Sequence, residues 1–142
     1  MVMGILLLGL LGTSVELLLL EHRDGIWQLA PLLAIGMSFL VLGWHGIARD
    51  ASSLRVFQGT MILFLLTGAA GLFLHFKGNV EFELEMYPSR SGVELFWEAM
   101  KGATPALSPG TMLLLGLLGL AYTYQHPVLM GSAKNNPQNN GG

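Results

Sequence analysis

Charge is what this chain has least of. Only 11% of its 142 residues are Asp, Glu, Lys or Arg, against about a quarter in an ordinary soluble domain. That leaves too little polar surface to cover a soluble fold. Cysteine is absent altogether, which excludes disulfides, thiolate nucleophiles and Cys-ligated metals. A basic excess is missing too. The 7 Lys and Arg against 9 Asp and Glu give a net charge of −2, so nothing suggests a nucleic-acid partner. The chain has no nucleophile–base constellation, phosphate loop or zinc motif, and no enzymatic activity is expected of it. No internal repeat is visible, so an inverted-repeat transporter finds no support.

What is present is apolar. Hydrophobic residues make up 52% of the chain and mean hydropathy is +0.57. A transmembrane helix needs about 20 mostly apolar residues, and four such stretches can be drawn. They cover about 3–20, 27–47, 55–76 and 109–126. Pro31 falls in the first turns of the second span, where it is tolerated. Asp50, Ser52 or Ser53 can cap the third, and Ser108 followed by Pro109 can open the fourth. The first stretch has no basic residue ahead of it and no small-residue cleavage site, and its apolar run is too long, so it reads as a retained span and not as a signal peptide. Residues 127–142 are expected to form a polar, disordered tail. The fold class expected is therefore an all-α membrane protein of four transmembrane helices, with one long extramembrane loop over 77–108.

Basic residues near the spans divide three against four between the two sides. Arg49, Arg55 and Lys134 fall on one side, and Arg23, Lys77, Arg90 and Lys101 on the other. The dense 49–55 turn favours cytoplasmic N- and C-termini in a bacterial inner membrane.

The long loop concentrates the charge. In "NVEFELEMYPS", Val80, Phe82, Leu84 and Met86 alternate with Glu81, Glu83 and Glu85. A period of two predicts a strand with one wet and one dry face. Carboxylates on one strand face stand about 7 Å apart, too far to close a cation site unaided, so no metal is expected. In "SRSGVELFWEAMKG", Ser91 and Glu94 fit a capping box. Val93, Phe96, Trp97 and Met100 follow at i, i+3, i+4 and i+7, and Gly102 supplies a stop. This segment is expected to be an amphipathic helix on the membrane surface.

The stretches "GNVEFELEMYPS", "ELFWEAMKGATPALSPG" and "LGLLGLAYTYQHP" resemble a set of small bacterial four-span integral membrane proteins. The resemblance covers roughly 55–127, and the first two spans are compatible with it. It implies a bacterial four-span protein and carries over no functional residue.

Small residues line one side of each span, where backbones approach closely in lipid. They are Gly9, Gly12 and Thr13 in the first, Gly36, Gly43 and Gly46 in the second, Thr67 and Gly71 in the third, and Gly116 and Gly119 in the fourth. Glu16 lies on the first stripe. A carboxylate inside a span costs on the order of 3 kcal/mol, so Glu16 should face a protein interface, with His75 at the same membrane side as a candidate partner. The four histidines suggest two same-depth pairs, His22 with His75 and His45 with His126. Such pairs could hold two haems, or His45 alone a chlorophyll-type pigment. Ordinary interfacial histidines account for them with less.

Three functions remain open from the residues. The leading one is an integral-membrane accessory or structural subunit, with membrane lipid and other membrane subunits as partners and a respiratory or photosynthetic assembly as a plausible host. The second is a small transporter or proton-conducting protein built on Glu16. The third is a haem or pigment carrier. Four spans place the loop and the C-terminal tail on opposite sides. Cysteines introduced at Ser89 and Ser132 should then react with an impermeant thiol reagent from opposite faces; labelling of both from one face would mean that no span, or an even number of spans, separates them.

Overall fold

One helix organises the chain. In the computed structural model, which describes residues 1–19, 26–102 and 107–134, α3 runs unbroken over Ala51–Met86. Its 36 residues at about 1.5 Å each reach about 54 Å, well beyond the roughly 30 Å of a bilayer core. Around it stand α1 (Val2–Leu19), α2 (Ile26–Ala48), α4 (Gly92–Lys101), α5 (Leu107–Thr123) and α6 (Pro127–Lys134). The described residues are helical, with no strand among them. Three helices, α1, α2 and α3, are long and apolar enough to cross a membrane; the apolar part of α5, Pro109–Thr123, is shorter. α3 packs against α5, α2 and α4, while α1 rests chiefly on α5.

The bundle is apolar outside as well as inside. Leu8, Leu19, Leu40 and Ile47 are among the exposed large residues, and Thr13, Ser38, His45, Ser53, Thr60 and Thr123 are buried. Several of the buried hydroxyls satisfy themselves within their own helix. Ser38 donates to the carbonyl of Ala34 at 3.1 Å and Thr60 to that of Val56 at 3.0 Å. This distribution suits lipid, where apolar surface carries no penalty and an unpartnered polar atom does.

The α3–α5 contact is the most extensive in the fold. A Cβ on Gly68 would lie 2.9 Å from the Pro109 carbonyl oxygen, and one on Gly116 2.9 Å from that of Met61. Gly71 meets the Pro109 ring, and Gly119 meets Met61 and Phe57. Backbone rests on backbone at both ends of the contact, and only glycine permits that. Gln58 adds a hydrogen bond to Thr123 at 3.2 Å. The core between these helices is filled by Phe57, Met61, Phe64, Met112 and Leu115, and Gly9 admits the Leu115 side chain from α1.

The expected strand over 79–86 does not form; these residues are the last turns of α3. Extending an existing helix adds one hydrogen bond per residue fixed, whereas a new element must be nucleated. Glu, Leu and Met are good helix formers, and nothing breaks the run before Tyr87 and Pro88. The acids also find helical uses, since Lys77 pairs with Glu81 one turn on at 3.5 Å. Glu83 reaches Arg90, which also holds Glu94 at 3.2 Å and lies over the Tyr87 ring. Arg90 thus closes the turn that returns the chain to α3.

α4 folds back on the outer turns of α3. Asn79, buried there, donates to the carbonyl of Ala99 at 2.9 Å, Gly102 lets the chain lie against Asn79, and Phe76 touches Phe96 with ring centroids 5.5 Å apart. The capping box does not form: Ser91 occupies the N-cap position without a side-chain hydrogen bond, and Glu94 is drawn to Arg90 instead. At Gly102 the helix stops with φ −55°, so the stop owes nothing to a left-handed glycine. The expected 77–108 loop is thus an overhanging helix and a second helix packed on it. The expected tail is also partly ordered: after a turn with Gln125 at φ 51°, Pro127 opens α6, where its missing N–H costs nothing. Residues 135–142 lie outside the described residues.

Gly116→Ala should overlap the Met61 carbonyl and lower stability by about 1–3 kcal/mol. Gly59→Ala, on α3 but with nothing within 4 Å of its Cβ, should be neutral or stabilising. Denaturant titration in detergent micelles checks the contrast; equal effects would remove the α3–α5 contact as the cause.

Candidate functional site

One group of polar side chains converges at the turn between α2 and α3. α2 ends there at Ala48, and Arg49 turns the chain with φ 50°. Asp50 then caps α3, its carboxylate accepting the N–H of Ser53 at 2.8 Å. The Ser53 hydroxyl lies 2.9 Å from the Asp50 carbonyl oxygen and 2.9 Å from Nδ1 of His45. A hydroxyl has one proton, and a carbonyl oxygen can only accept. Both contacts are satisfied when Ser53 donates to Asp50 and Nδ1–H of His45 donates to Ser53. That fixes the tautomer and leaves Nε2 as the lone-pair nitrogen.

A Ser–His contact of this length is the spacing of a nucleophile and its base. Here it is a joint between helices. Ser53 is wholly buried, and its hydroxyl proton is committed to a backbone carbonyl.

His45, itself only 7% exposed, meets two rings from the end of α5. Its centroid is 6.4 Å from that of Tyr122 and 6.1 Å from that of His126; Tyr122 and His126 are 5.6 Å apart. Nδ1 of His126 is the buried side-chain polar atom left without a hydrogen-bond partner among the described residues. These rings line a cavity of about 630 Å³ whose other walls include Met3, Leu7, Phe39, Leu42 and Val128, with Arg49 also at its lining. Pockets of a few hundred cubic ångströms with apolar walls and few polar groups are the usual form of a small-molecule site.

Of the two histidine pairs expected, the structure brings together His45 and His126. His22 lies outside the described residues, and His75 is partly buried on α3. The His45–His126 pair does not make a bis-imidazole haem slot as it stands. The three centroids form a nearly equilateral triangle, so the Tyr122 ring occupies one side of the plane a macrocycle between the imidazoles would need. Among the described residues no group of three or more His, Cys, Asp or Glu could hold a metal ion.

Glu16 is partly buried on α1, and both it and His75 engage partners. Of the stripe glycines, Gly9, Gly71, Gly116 and Gly119 lie against neighbouring helices, whereas Gly12, Gly36, Gly43 and Gly46 meet no neighbour among the described residues. On α2 the buried side is Ala34, Ile35, Ser38, Val41, Leu42 and His45. Burying the Ser38 and His45 polar atoms turns the glycines outward. On α4, Ala99 is the buried residue, and Val93, Phe96, Trp97 and Met100 are all exposed.

Arg49, Ser53 and Tyr122 were not read from the sequence as site residues. The signal for two of them was present: Arg49 follows His45, and His126 follows Tyr122, by four positions, one helical turn on the same side. No family model matches the chain, and no match is found among curated proteins or solved structures.

Asp50 lies between spans, and the Ser53 N–H that it accepts holds its carboxyl below the usual range. A depressed folded value means stability present above the unfolded carboxylate range and lost as pH falls through the folded value. Asp50→Ala should therefore weaken the fold at neutral pH and lose its effect in acid. Ser53→Ala strands the Nδ1–H of His45 and should cost about 1–3 kcal/mol at either pH. Thermal unfolding of both variants across the acid range checks the two signs.

Proposed function

We propose that the chain is a non-catalytic accessory subunit of a larger assembly in a bacterial inner membrane. It has four spans, α1, α2, α3 and α5, and its N- and C-termini are cytoplasmic. In favour of the fourth span, α5 lies beside α3 along the glycine contacts, at the depth of the third span. Its partners are membrane lipid and other integral subunits, a respiratory or photosynthetic assembly being a suitable host.

The observation that carries this reading is the outer face of α2. Gly36, Leu40, Gly43 and Ile47 follow at i, i+4, i+7 and i+11, one side of a helix. Leu40 is 76% and Ile47 88% exposed, and no atom comes within 4 Å of a Cβ at either glycine. Glycine within a helix costs roughly 0.5–1 kcal/mol relative to alanine. On α3 and α5 that cost is offset by close packing. At these two glycines of α2 no described residue supplies a neighbour, so another helix is the fitting one.

Purification in a mild detergent followed by mass spectrometry should recover the wild-type chain with defined membrane partners. Gly36→Leu, which meets nothing within the chain, should release them while leaving the helical content unchanged. A wild-type chain that purifies alone, or a Gly36→Leu chain that keeps its partners, would defeat the proposal.

A further inference from the structure

The cavity at the α2–α5 end has a composition that selects its occupant. We infer that it is a binding site for a lipid-soluble ring ligand bearing carbonyl or hydroxyl oxygens, a quinone or quinol head with its apolar tail.

The walls exclude a water-soluble ligand: Met3, Leu7, Phe39, Leu42 and Val128 offer no polar side-chain partner except the weak thioether of Met3. Leu7 is 37% exposed on the outer surface of α1, and exposed Gly43 and Gly46 line the cavity from α2. It therefore opens on the apolar flank of the bundle, where a ligand dissolved in lipid enters sideways. The glycines leave the space clear, since a Cβ on either would meet nothing within 4 Å.

The polar end selects the head. Among the described residues, Arg49 is the one lining residue with a fixed charge, and it is exposed. A phosphate or carboxylate head draws its affinity from several cations or a forked pair of contacts, and a single exposed guanidinium supplies little of that. Deeper in stand three rings, His45, Tyr122 and His126, which offer flat apolar faces and neutral hydrogen-bonding atoms. The Ser53 contact makes Nε2 of His45 an acceptor, suited to a ligand hydroxyl. The Tyr122 hydroxyl can donate to a ligand carbonyl. His126 lines the same wall and adds a second imidazole ring. Both residues line the one cavity, and together they fit a quinol, one hydroxyl donating to Nε2 of His45 and the other accepting from Tyr122; an oxidised quinone, with no proton to give, would use Tyr122 alone. This inference does not rest on the accessory-subunit reading, although Gly43 belongs to both surfaces: the cavity is formed within one chain, and nanodiscs holding that chain alone test it without a partner.

The test uses the full chain in lipid nanodiscs with decylubiquinone as the probe, followed by titration calorimetry. The wild type should bind it saturably, one per chain. Gly46→Phe should fill the cavity and abolish binding, and Tyr122→Phe should weaken it by roughly tenfold, the loss of one hydrogen bond. Circular dichroism should show both variants folded; if Gly46→Phe is not, Gly43→Leu takes its place as the plug. Three results would overturn the inference: no saturable binding by folded wild type, undiminished binding by a folded plugged variant, or displacement of the probe by phosphatidylglycerol, which would make the site one for a phospholipid.

Discussion

The contact of α3 with α5 governs the rest of the structure. Lipid tails are as apolar as leucine, so helices in a bilayer gain nothing from hiding leucines from solvent and associate through close packing. Gly68 on one helix and Gly116 on the other bring main chains together where any side chain would hold them apart, and Gly71 and Gly119 admit the Pro109 ring and the Met61 side chain between them. With that pair fixed, α1 seats Leu115 in the space left by Gly9. α2 is carried on α3 through the Arg49 turn and the His45–Ser53–Asp50 joint.

Polar atoms then decide which way the remaining faces turn. In α2 the glycines and the His45 side compete for the interior. Burying glycine would improve packing by a modest amount, while turning the imidazole to acyl chains would take its Nδ1 from Ser53 and strand polar atoms at several kcal/mol each. The His45 side goes inward. The same rule places Asn79, the buried polar residue of the α3 overhang, where Ala99 of α4 offers its carbonyl.

The spans were legible in the sequence because a long, uncharged apolar run suits little besides a membrane-crossing helix. The run over 3–20 reappears as α1 and that over 27–47 as α2 almost to the residue. The 79–86 segment was misleading because alternating apolar and acidic residues satisfy a period of two locally, while the deciding fact is the helix already running into them. The glycine stripes showed where backbones could approach, not which neighbour would come; for Gly12, Gly36, Gly43 and Gly46 none comes from the described residues. The joining of His45 to His126 was half legible, since equal depth can be counted along the chain but the angle around each helix depends on packing. The cavity was not legible, because it is the space that separate segments of the chain leave unfilled.

The unbroken run of α3 acts as a ruler. With its apolar part seated in a bilayer, about 20 Å of rigid rod remains beyond the hydrocarbon, and α4 is fastened to that rod through Asn79 and Arg90. No hinge separates the two parts, so the exposed Phe96 and Trp97 stand at a height set by helical rise alone. Anything that meets them must come to that height, and a tilt of the rod within the membrane would swing them through an arc in proportion to its length.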